Sequence, residues 1–357
     1  MPCKLAISSM SLGRCFAGHS FENKLDMAQK YGYQGIELFY EDLVDIAQKK
    51  CNEPFSSDGP SEGSQMAAAR EVQRICQSRG LEIVCLQPFM HYEGLVNREQ
   101  HGRMLRKFEL FIRLAHILET DIIQVPSNFL PASQVTTDLD LIVSDLQHAA
   151  DIGLRASPPI RLVYESLCWG TRVDTWEKCW DVVRRVDRPN FGICLDSFNI
   201  AGRIYADPTL PTGRTPDADA AVEKSMARLV KTVDVSKVFY VQIVDAEQLQ
   251  EPLVAGHKLY DADQPARMSW SRSCRLFYGE EDRGAYLPVK KVADTIFHGL
   301  KFQGWVSLEL FNRRMSEEGS EIPEELARRG AVSWKKLVQD MKLQTRTSEP
   351  VRISASL

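Results

Sequence analysis

Four polar residues that could hold a divalent cation stand at or near the ends of short apolar runs. They are Glu165, Asp196, Gln242 and Glu309, in the segments LVYES, GICLDSFN, FYVQIVD and WVSLELFN. Oxygen donors at strand ends are what such an ion needs, whereas the same groups inside a core would be costly if they were unpaired. Gaps of 31, 46 and 67 positions separate them. The first gap suits one strand–helix–strand unit, and the others suit the same unit with a longer loop.

The donor types indicate which ion would fit. Three carboxylates and one amide oxygen favour Mg²⁺, Mn²⁺ or Co²⁺ over a structural zinc, with water or substrate completing the coordination. Any single acid at a strand end could instead cap a helix or pair with an arginine. Four such residues on consecutive strands of the second half of the chain favour the metal site.

Further residues at strand ends, or in the loops that follow, are candidates for contacting a substrate. Those that could hydrogen-bond substrate hydroxyls are Glu37, Gln87, Gln124 and Asn199, and those that could form an apolar wall are Trp169, Phe311 and Phe89. His91 follows the third apolar run and could act as a base or a donor. Each has an ordinary alternative as a loop, core or solvated residue.

The rest of the chain alternates short apolar runs with longer amphipathic stretches. We predict strands over residues 4–10, 35–40, 82–87, 121–126, 161–166, 191–196, 238–244 and 305–310. We predict helices over residues 21–32, 64–80, 98–120, 132–153, 173–186, 218–231 and 287–301. This alternation predicts parallel strands joined by crossover helices.

Eight such pairs predict a closed (β/α)₈ TIM barrel, in which every strand's C-terminal end lies on one face. A doubly wound open sheet is the alternative, but it often shows a Gly-rich nucleotide turn that is absent from this sequence. We expect a single barrel domain over residues 1–344. Residues 40–63 and 246–286 have the character of loop insertions, and residues 345–357 that of a flexible polar tail.

Composition narrows the class of partner. The 357 residues carry a net charge of −4 and are 44% hydrophobic, which favours a small-molecule substrate over nucleic acid. No apolar stretch has the length of a membrane span, and no secretory signal is apparent. The nine cysteines show no CxxC spacing, so we expect reduced thiols in a cytoplasmic protein. Self-association is left open.

The sequence segments around the four donors resemble those of a known superfamily. YES followed by Asp196, QIVD and LELFN resembles the sugar-phosphate isomerase/epimerase superfamily, which shares a xylose-isomerase-like TIM barrel. CLDSFNIAGRIYADP, VQIVDAE, SRSCRLFYGEEDRGAYLPV and SLELFNRRM are similar to the fungal 3-dehydroshikimate dehydratases of quinate catabolism. The resemblance spans about residues 4–340. It implies metal ligation by Glu165, Asp196, Gln242 and Glu309. Many relatives have a histidine where this chain has Asn199.

The resemblance implies dehydration of 3-dehydroshikimate to protocatechuate by enolate formation and loss of the C5 hydroxyl as water. The C3 ketone and C4 hydroxyl would form a bidentate handle for the cation, which would acidify the C4 proton. Glu165, Glu309 and His91 are the candidate bases. The substrate carboxylate needs a cation, for which Arg272 is the first candidate, with Arg103 and Arg283 behind it.

Three other functions remain open from the sequence. A sugar epimerase or hydroxypyruvate-type isomerase would use Glu165 and Glu309 to shuttle a proton across an enediolate. An endonuclease-IV-like repair enzyme would need more histidines at strand ends and a basic face. A metabolite-binding regulator would not need all four ligands.

Overall fold

A closed barrel of eight parallel strands lies at the centre of the computed structural model, which describes residues 2–51 and 59–345. The strands of the chain are β1 (Lys4–Ser8), β2 (Gly35–Phe39), β3 (Glu82–Gln87), β4 (Ile122–Pro126), β5 (Arg161–Glu165), β6 (Phe191–Asp196), β7 (Val238–Gln242), β8 (Asp245–Ala246), β9 (Arg275–Leu276) and β10 (Trp305–Leu308). All except β8 and β9 form the barrel, in the order β1-β10-β7-β6-β5-β4-β3-β2. The predicted TIM barrel is therefore confirmed.

Helices connect the strands, and most of them cover the outside of the barrel. They are α1 (Phe21–Lys30), α2 (Tyr40–Cys51), α3 (Glu62–Ser78), α4 (Arg98–Ile117), α5 (Leu139–Arg155), α6 (Trp176–Val186), α7 (Ser197–Ile204), α8 (Ala218–Thr232), α9 (Ala266–Cys274), α10 (Val289–Asp294) and α11 (Ile322–Met341). Each predicted helix has a counterpart. The helix predicted over 132–153 begins only at Leu139, because Asp138 caps it by accepting from the backbone N–H groups of Asp140 and Leu141. Helices α7, α9 and α11 were not predicted.

The strands are apolar because both of their faces are covered. All six residues of β6 and all five of β4 are buried, as expected for parallel strands between a barrel interior and a ring of helices. Register then fixes which strand ends meet. Asp196 of β6 stands beside Gln242 of β7, and Pro126 of β4 stands beside Glu165 of β5. Ligand candidates far apart in sequence thus share one end of the barrel.

Two excursions from the barrel follow β2 and β7, where the sequence predicts insertions. The first contains α2 and leads to α3, while residues 52–58 of it lie outside the described part of the chain, as do residues 346–357 of the predicted tail. The second contains α9 and a two-stranded antiparallel ribbon, in which Asp245 pairs with Leu276 and Ala246 with Arg275. This ribbon returns the chain to the C-terminal face of the barrel. Within residues 2–51 and 59–345, no helix is long and apolar enough to cross a membrane.

Candidate metal centre and its cavity

Three carboxylates from different strands converge at the C-terminal end of the barrel. Glu165 ends β5, Asp196 ends β6, and Glu309 follows β10 directly. One oxygen from each lies within 4.8 Å of the other two, and all three residues are buried. Three negative charges this close repel one another, so the cluster needs a positive charge. The sequence prediction that these residues meet agrees with this geometry.

Gln242 completes the donor set from β7, next to Asp196 in register. Its Nε2 donates to both carboxylate oxygens of Glu37, at 3.2 and 3.0 Å, while its Oε1 is buried and has no hydrogen-bond partner among the described residues. A buried amide oxygen without a partner is costly, and a bound cation would satisfy it. The set of hard oxygen donors therefore fits a divalent ion.

Three amide side chains hold the carboxylates in place. Asn199 donates from Nδ2 to Glu165 at 2.8 Å and to Asp196 at 3.2 Å. Gln124 donates from Nε2 to the other oxygen of Glu165. Gln87 donates from Nε2 to Glu309 at 3.0 Å and to Glu37 at 3.1 Å. These contacts orient the ligand oxygens, as the outer partners of metal ligands commonly do.

Arg275 supplies a positive charge within the cluster. Its Nη1 donates to Asp196 Oδ2 at 2.8 Å and to Glu309 Oε2 at 3.2 Å, and its side chain is only 1% exposed. The guanidinium carbon lies 4.3 Å from the ring centre of Phe198 and 5.0 Å from that of Phe311. Two ion pairs and two aromatic rings therefore hold one arginine. This residue was not among the predicted site residues.

The pKa values follow from this crowding. Burial and the charges of Glu309 and Asp196 raise the pKa of Glu165 well above its usual range. Burial raises the pKa of Glu309 to about 8, against the lowering effect of Arg275. Burial opposes the charge of Arg275 itself, but Asp196 and Glu309 outweigh that effect and raise its pKa. A bound divalent cation would lower the pKa of every carboxylate that it contacts.

A cavity of about 390 Å³ opens above the cluster and is large enough for a small ring compound. Its floor includes Glu165, Glu309 and Arg275. Predicted substrate contacts Gln87, Gln124, Trp169, Phe311 and Arg272 also line it, together with Arg14, Phe39, Glu41, Pro88, Met90, Pro126, Phe129, Leu167 and Ser271. The side walls are mostly apolar. Trp169 Nε1 is buried and has no partner among the described residues.

Other predicted residues lie elsewhere. Glu37 and Asn199 are buried behind the ligands and do not line the cavity. His91 is half-buried beside it, with Nδ1 3.3 Å from Asn128 Oδ1 and its ring centre 4.3 Å from that of Phe129. Phe89 belongs to an aromatic core group with Tyr92, Phe108 and Phe111.

The alternative arginines are on the surface. Arg103 pairs with Glu99 along α4, and Arg283 pairs with Glu280. Arg275, which the sequence analysis did not predict, lies in the same SRSCR segment as Arg272. Their three-residue spacing is a helix-face spacing, but α9 ends at Cys274, and Arg275 begins β9. That change of element turns the two side chains to different depths of the cavity.

The sequence resembles known proteins over its whole length. Residues 25–337 match the family described as xylose isomerase-like TIM barrel. A Neurospora crassa protein named 3-dehydroshikimate dehydratase is 68% identical, and the match covers 100% of both chains. A Pseudomonas aeruginosa protein of the same name is 32% identical over 81% of this chain but only 36% of its own length.

Solved structures share the architecture. A xylose isomerase-like TIM barrel/4-hydroxyphenylpyruvate dioxygenase fusion protein superposes with a TM-score of 0.68 and 25% identity, covering 96% of this chain and 43% of its own. The IolI protein with a binding zinc atom gives a TM-score of 0.65 at 16% identity, over 95% of this chain and 99% of its own. The probable 3-DHS dehydratase AsbF from Bacillus anthracis gives 0.59 at 15%, over 93% and 98%.

Proposed function

This chain belongs to the family of xylose isomerase-like TIM barrels, and from that premise we propose that it is a 3-dehydroshikimate dehydratase. One observation carries the proposal. The Neurospora crassa protein that bears this name is 68% identical to the chain from end to end. The cavity supports it, because a small ring would stand over buried acids and between apolar walls. The enzyme would convert 3-dehydroshikimate into protocatechuate and water.

The donor set at the floor supports a divalent cation, with Mg²⁺, Mn²⁺ or Co²⁺ as the proposed ions. Glu165, Asp196, Glu309 and the Oε1 of Gln242, which has no partner in the described part of the chain, would hold it. When bound, the ion supplies Lewis acidity that makes the C4 proton of the substrate easier to remove. Glu37 would keep the Gln242 amide turned so that its oxygen, and not its nitrogen, faces the ion.

The reaction breaks a C–H bond at C4 and then the C–O bond at C5. A base takes the C4 proton, the electron pair forms an enolate with the C3 carbonyl, and the C5 hydroxyl leaves with a proton as water. Loss of a proton from C6 and gain of a proton by the C3 oxygen then convert the resulting dienone into the aromatic ring. The residues of this chain therefore have to orient the ring, move the protons of these steps and admit little bulk water.

Glu165 and Glu309 are the carboxylates that line the floor, and we propose that one of them takes the C4 proton. Each would be ionised while it holds the cation, as a base that accepts a proton must be. His91 remains the other candidate. Its Nδ1 makes a hydrogen bond with Asn128 Oδ1 at 3.3 Å. Its ring packs against Phe129, which lines the cavity.

The cavity walls would orient the ring. Phe311 and Trp169 offer apolar surface, and Trp169 Nε1 offers a donor without a partner among the described residues. Gln124 has a buried Oε1 that is likewise without a partner in this part of the chain, so it could accept a hydrogen bond from a substrate hydroxyl. Asn199 and Glu37 would act by orienting ligands. We place the enzyme in quinate catabolism and in the cytoplasm.

The test is incubation with 3-dehydroshikimate while the ultraviolet absorbance of protocatechuate is followed. With Mn²⁺, Mg²⁺ or Co²⁺ present the aromatic product should accumulate, and after removal of the ion with EDTA it should not. A protein that gives no product with any of these ions does not have the proposed activity. Replacing His91 by Asn should leave most of the turnover if a floor carboxylate is the base, and should abolish it if His91 is.

A further inference from the structure

Two arginines line the cavity at its exposed end, above the buried floor. Arg14 lies in the loop after β1, with its side chain 25% exposed, and Arg272 lies on α9 and is exposed. The floor residues Glu165 and Glu309 are 2% and 4% exposed. The cavity therefore has acidic groups with Arg275 at its base and two further cations at its mouth.

Arg14 is held by an internal carboxylate. Its Nε donates to Glu41 Oε1 at 3.1 Å, and its Nη2 donates to Glu41 Oε2, which makes a two-point pair. Glu41 also lines the cavity, in the first turn of α2. The pair is partly exposed, so water and other anions can reach it, and such pairs contribute little stability. A planar guanidinium holds any carboxylate in the same two-point way.

Arg272 has no ion pair with any residue that the structure describes, and its Nη1 donates to the neutral Gln264 at 3.0 Å. The side chain is exposed at the mouth, but partial loss of water around its guanidinium, together with the positive charge of Arg14, lowers the pKa of Arg272. Two guanidinium groups therefore face a shared space and repel each other. An anion between them would replace that repulsion with attraction.

The expected substrate carries its anion at the correct end. In 3-dehydroshikimate the carboxylate is on C1, which lies across the ring from C4. If C3 and C4 stand over the acidic floor, where the proton is removed, then C1 points away from it. The ring is therefore oriented by charge, with its carboxylate toward the mouth.

We propose that Arg14 and Arg272 together bind the substrate carboxylate, and that Glu41 occupies Arg14 until that carboxylate replaces it. This inference rests on the proposed function. It makes Glu41 an internal competitor of the substrate. Removal of an arginine and removal of Glu41 therefore have opposite effects on the binding of an anion, which a purely structural role of the pair would not produce.

The experiment measures binding of protocatechuate and of catechol to the full chain with Mn²⁺ present. The two ligands share adjacent ring hydroxyls and differ by the carboxylate. Arg14→Gln and Arg272→Gln should each raise the Kd for protocatechuate about tenfold or more, because a charge-assisted contact is lost, and should leave the Kd for catechol unchanged. Glu41→Gln should lower the Kd for protocatechuate about twofold to tenfold.

Kinetics give an independent reading of the same variants. The arginine variants should raise KM for 3-dehydroshikimate with little change in kcat, and Glu41→Gln should lower KM. Arg14→Lys keeps the charge but loses the two-point geometry, so its KM should lie between those of the wild type and Arg14→Gln.

A matched pair elsewhere serves as the control. Arg74 and Glu71 on α3 make the same two-point contact, at 3.1 and 2.8 Å, with Arg74 largely exposed. Arg74→Gln and Glu71→Gln should leave both Kd values and KM unchanged.

Two results would overturn the inference. If wild-type protein turns over substrate but Arg14→Gln keeps the ratio of the two Kd values, the carboxylate binds elsewhere and the dehydratase function stands. If wild-type protein with Mn²⁺ forms no protocatechuate, the proposed function fails, and the carboxylate site fails with it.

Discussion

The residues at the floor and at the mouth of the cavity differ in the elements that carry them and in their exposure to solvent. The metal-site residues Glu165, Asp196 and Gln242, at the floor and beneath it, stand at the ends of barrel strands whose register fixes their positions, and they are buried. The mouth residues Arg14, Glu41 and Arg272 come from loops and short helices and are partly exposed. The floor therefore supplies fixed charges close to the chemistry, whereas the mouth supplies charges that can exchange partners. Changes at the floor should cost more than changes at the mouth.

The largest effect is expected at a floor ligand. Glu309→Gln removes one of three carboxylates around the ion site and one partner of Arg275, so turnover of 3-dehydroshikimate should fall by about 10³-fold or more. Bound metal, measured by elemental analysis after gel filtration, should fall with it. Glu318→Gln, an exposed acid nine residues later, should behave as wild type. A fully active Glu309→Gln protein would remove the metal site from the mechanism.

Arg275 tests the charge balance of the floor without reference to activity. Arg275→Met leaves Asp196 and Glu309 without their cation, so the free energy of unfolding in EDTA at pH 8 should fall by about 3–5 kcal/mol. Added Mn²⁺ should recover part of that loss, because it supplies positive charge to the same carboxylates. Arg161→Met breaks an exposed pair with Asp121 and should cost about 1 kcal/mol or less, with no response to Mn²⁺. Equal losses in the two variants would contradict the comparison.

Glu93 is a buried acid in the loop between β3 and α4. Its Oε1 accepts from Asn128 N at 2.6 Å and Tyr164 Oη at 3.0 Å, and burial raises its pKa to about 7. A raised pKa means that the folded state prefers the protonated acid. The stability this provides is present below about pH 4 and is lost as pH rises through 7.

The free energy of unfolding, measured with urea at pH 4.5 and pH 8, should therefore depend on pH differently in wild type and in Glu93→Gln, whose amide does not ionise. Relative to wild type, the variant should gain stability on the order of 3 kcal/mol between these two pH values. Glu318→Gln should show no such gain. Parallel pH dependences for Glu93→Gln and wild type would show that Glu93 is ionised in the folded protein across this range.

The smallest effect is expected at the mouth. Arg272→Ala should lower kcat/KM for 3-dehydroshikimate by about tenfold or somewhat more, since it removes one charge-assisted contact and leaves the floor intact. Its unfolding free energy should stay near that of wild type, because Arg272 makes no ion pair with a described residue. If the activity loss equalled that of Glu309→Gln, the distinction between fixed and exchangeable charges would not hold.

The same distinction explains what the sequence could predict. Strand ends in a parallel barrel meet because of register, so the apolar runs that precede Glu165, Asp196, Gln242 and Glu309 were enough to bring them together. Arg275 was missed because its depth depends on where α9 ends and the ribbon begins, which no periodicity in SRSCR indicates. Arg14, in the loop after β1, pairs with Glu41 in the first turn of α2, and contacts between such separate elements leave no pattern in a single sequence.

The ion pairs of Arg275 bear on whether this protein can fold without its metal ion. Its guanidinium is part of the chain itself, so it balances the charges of Asp196 and Glu309 whether or not an ion is bound. We therefore expect protein that has been stripped of its ion to stay folded and to regain activity when the ion is restored.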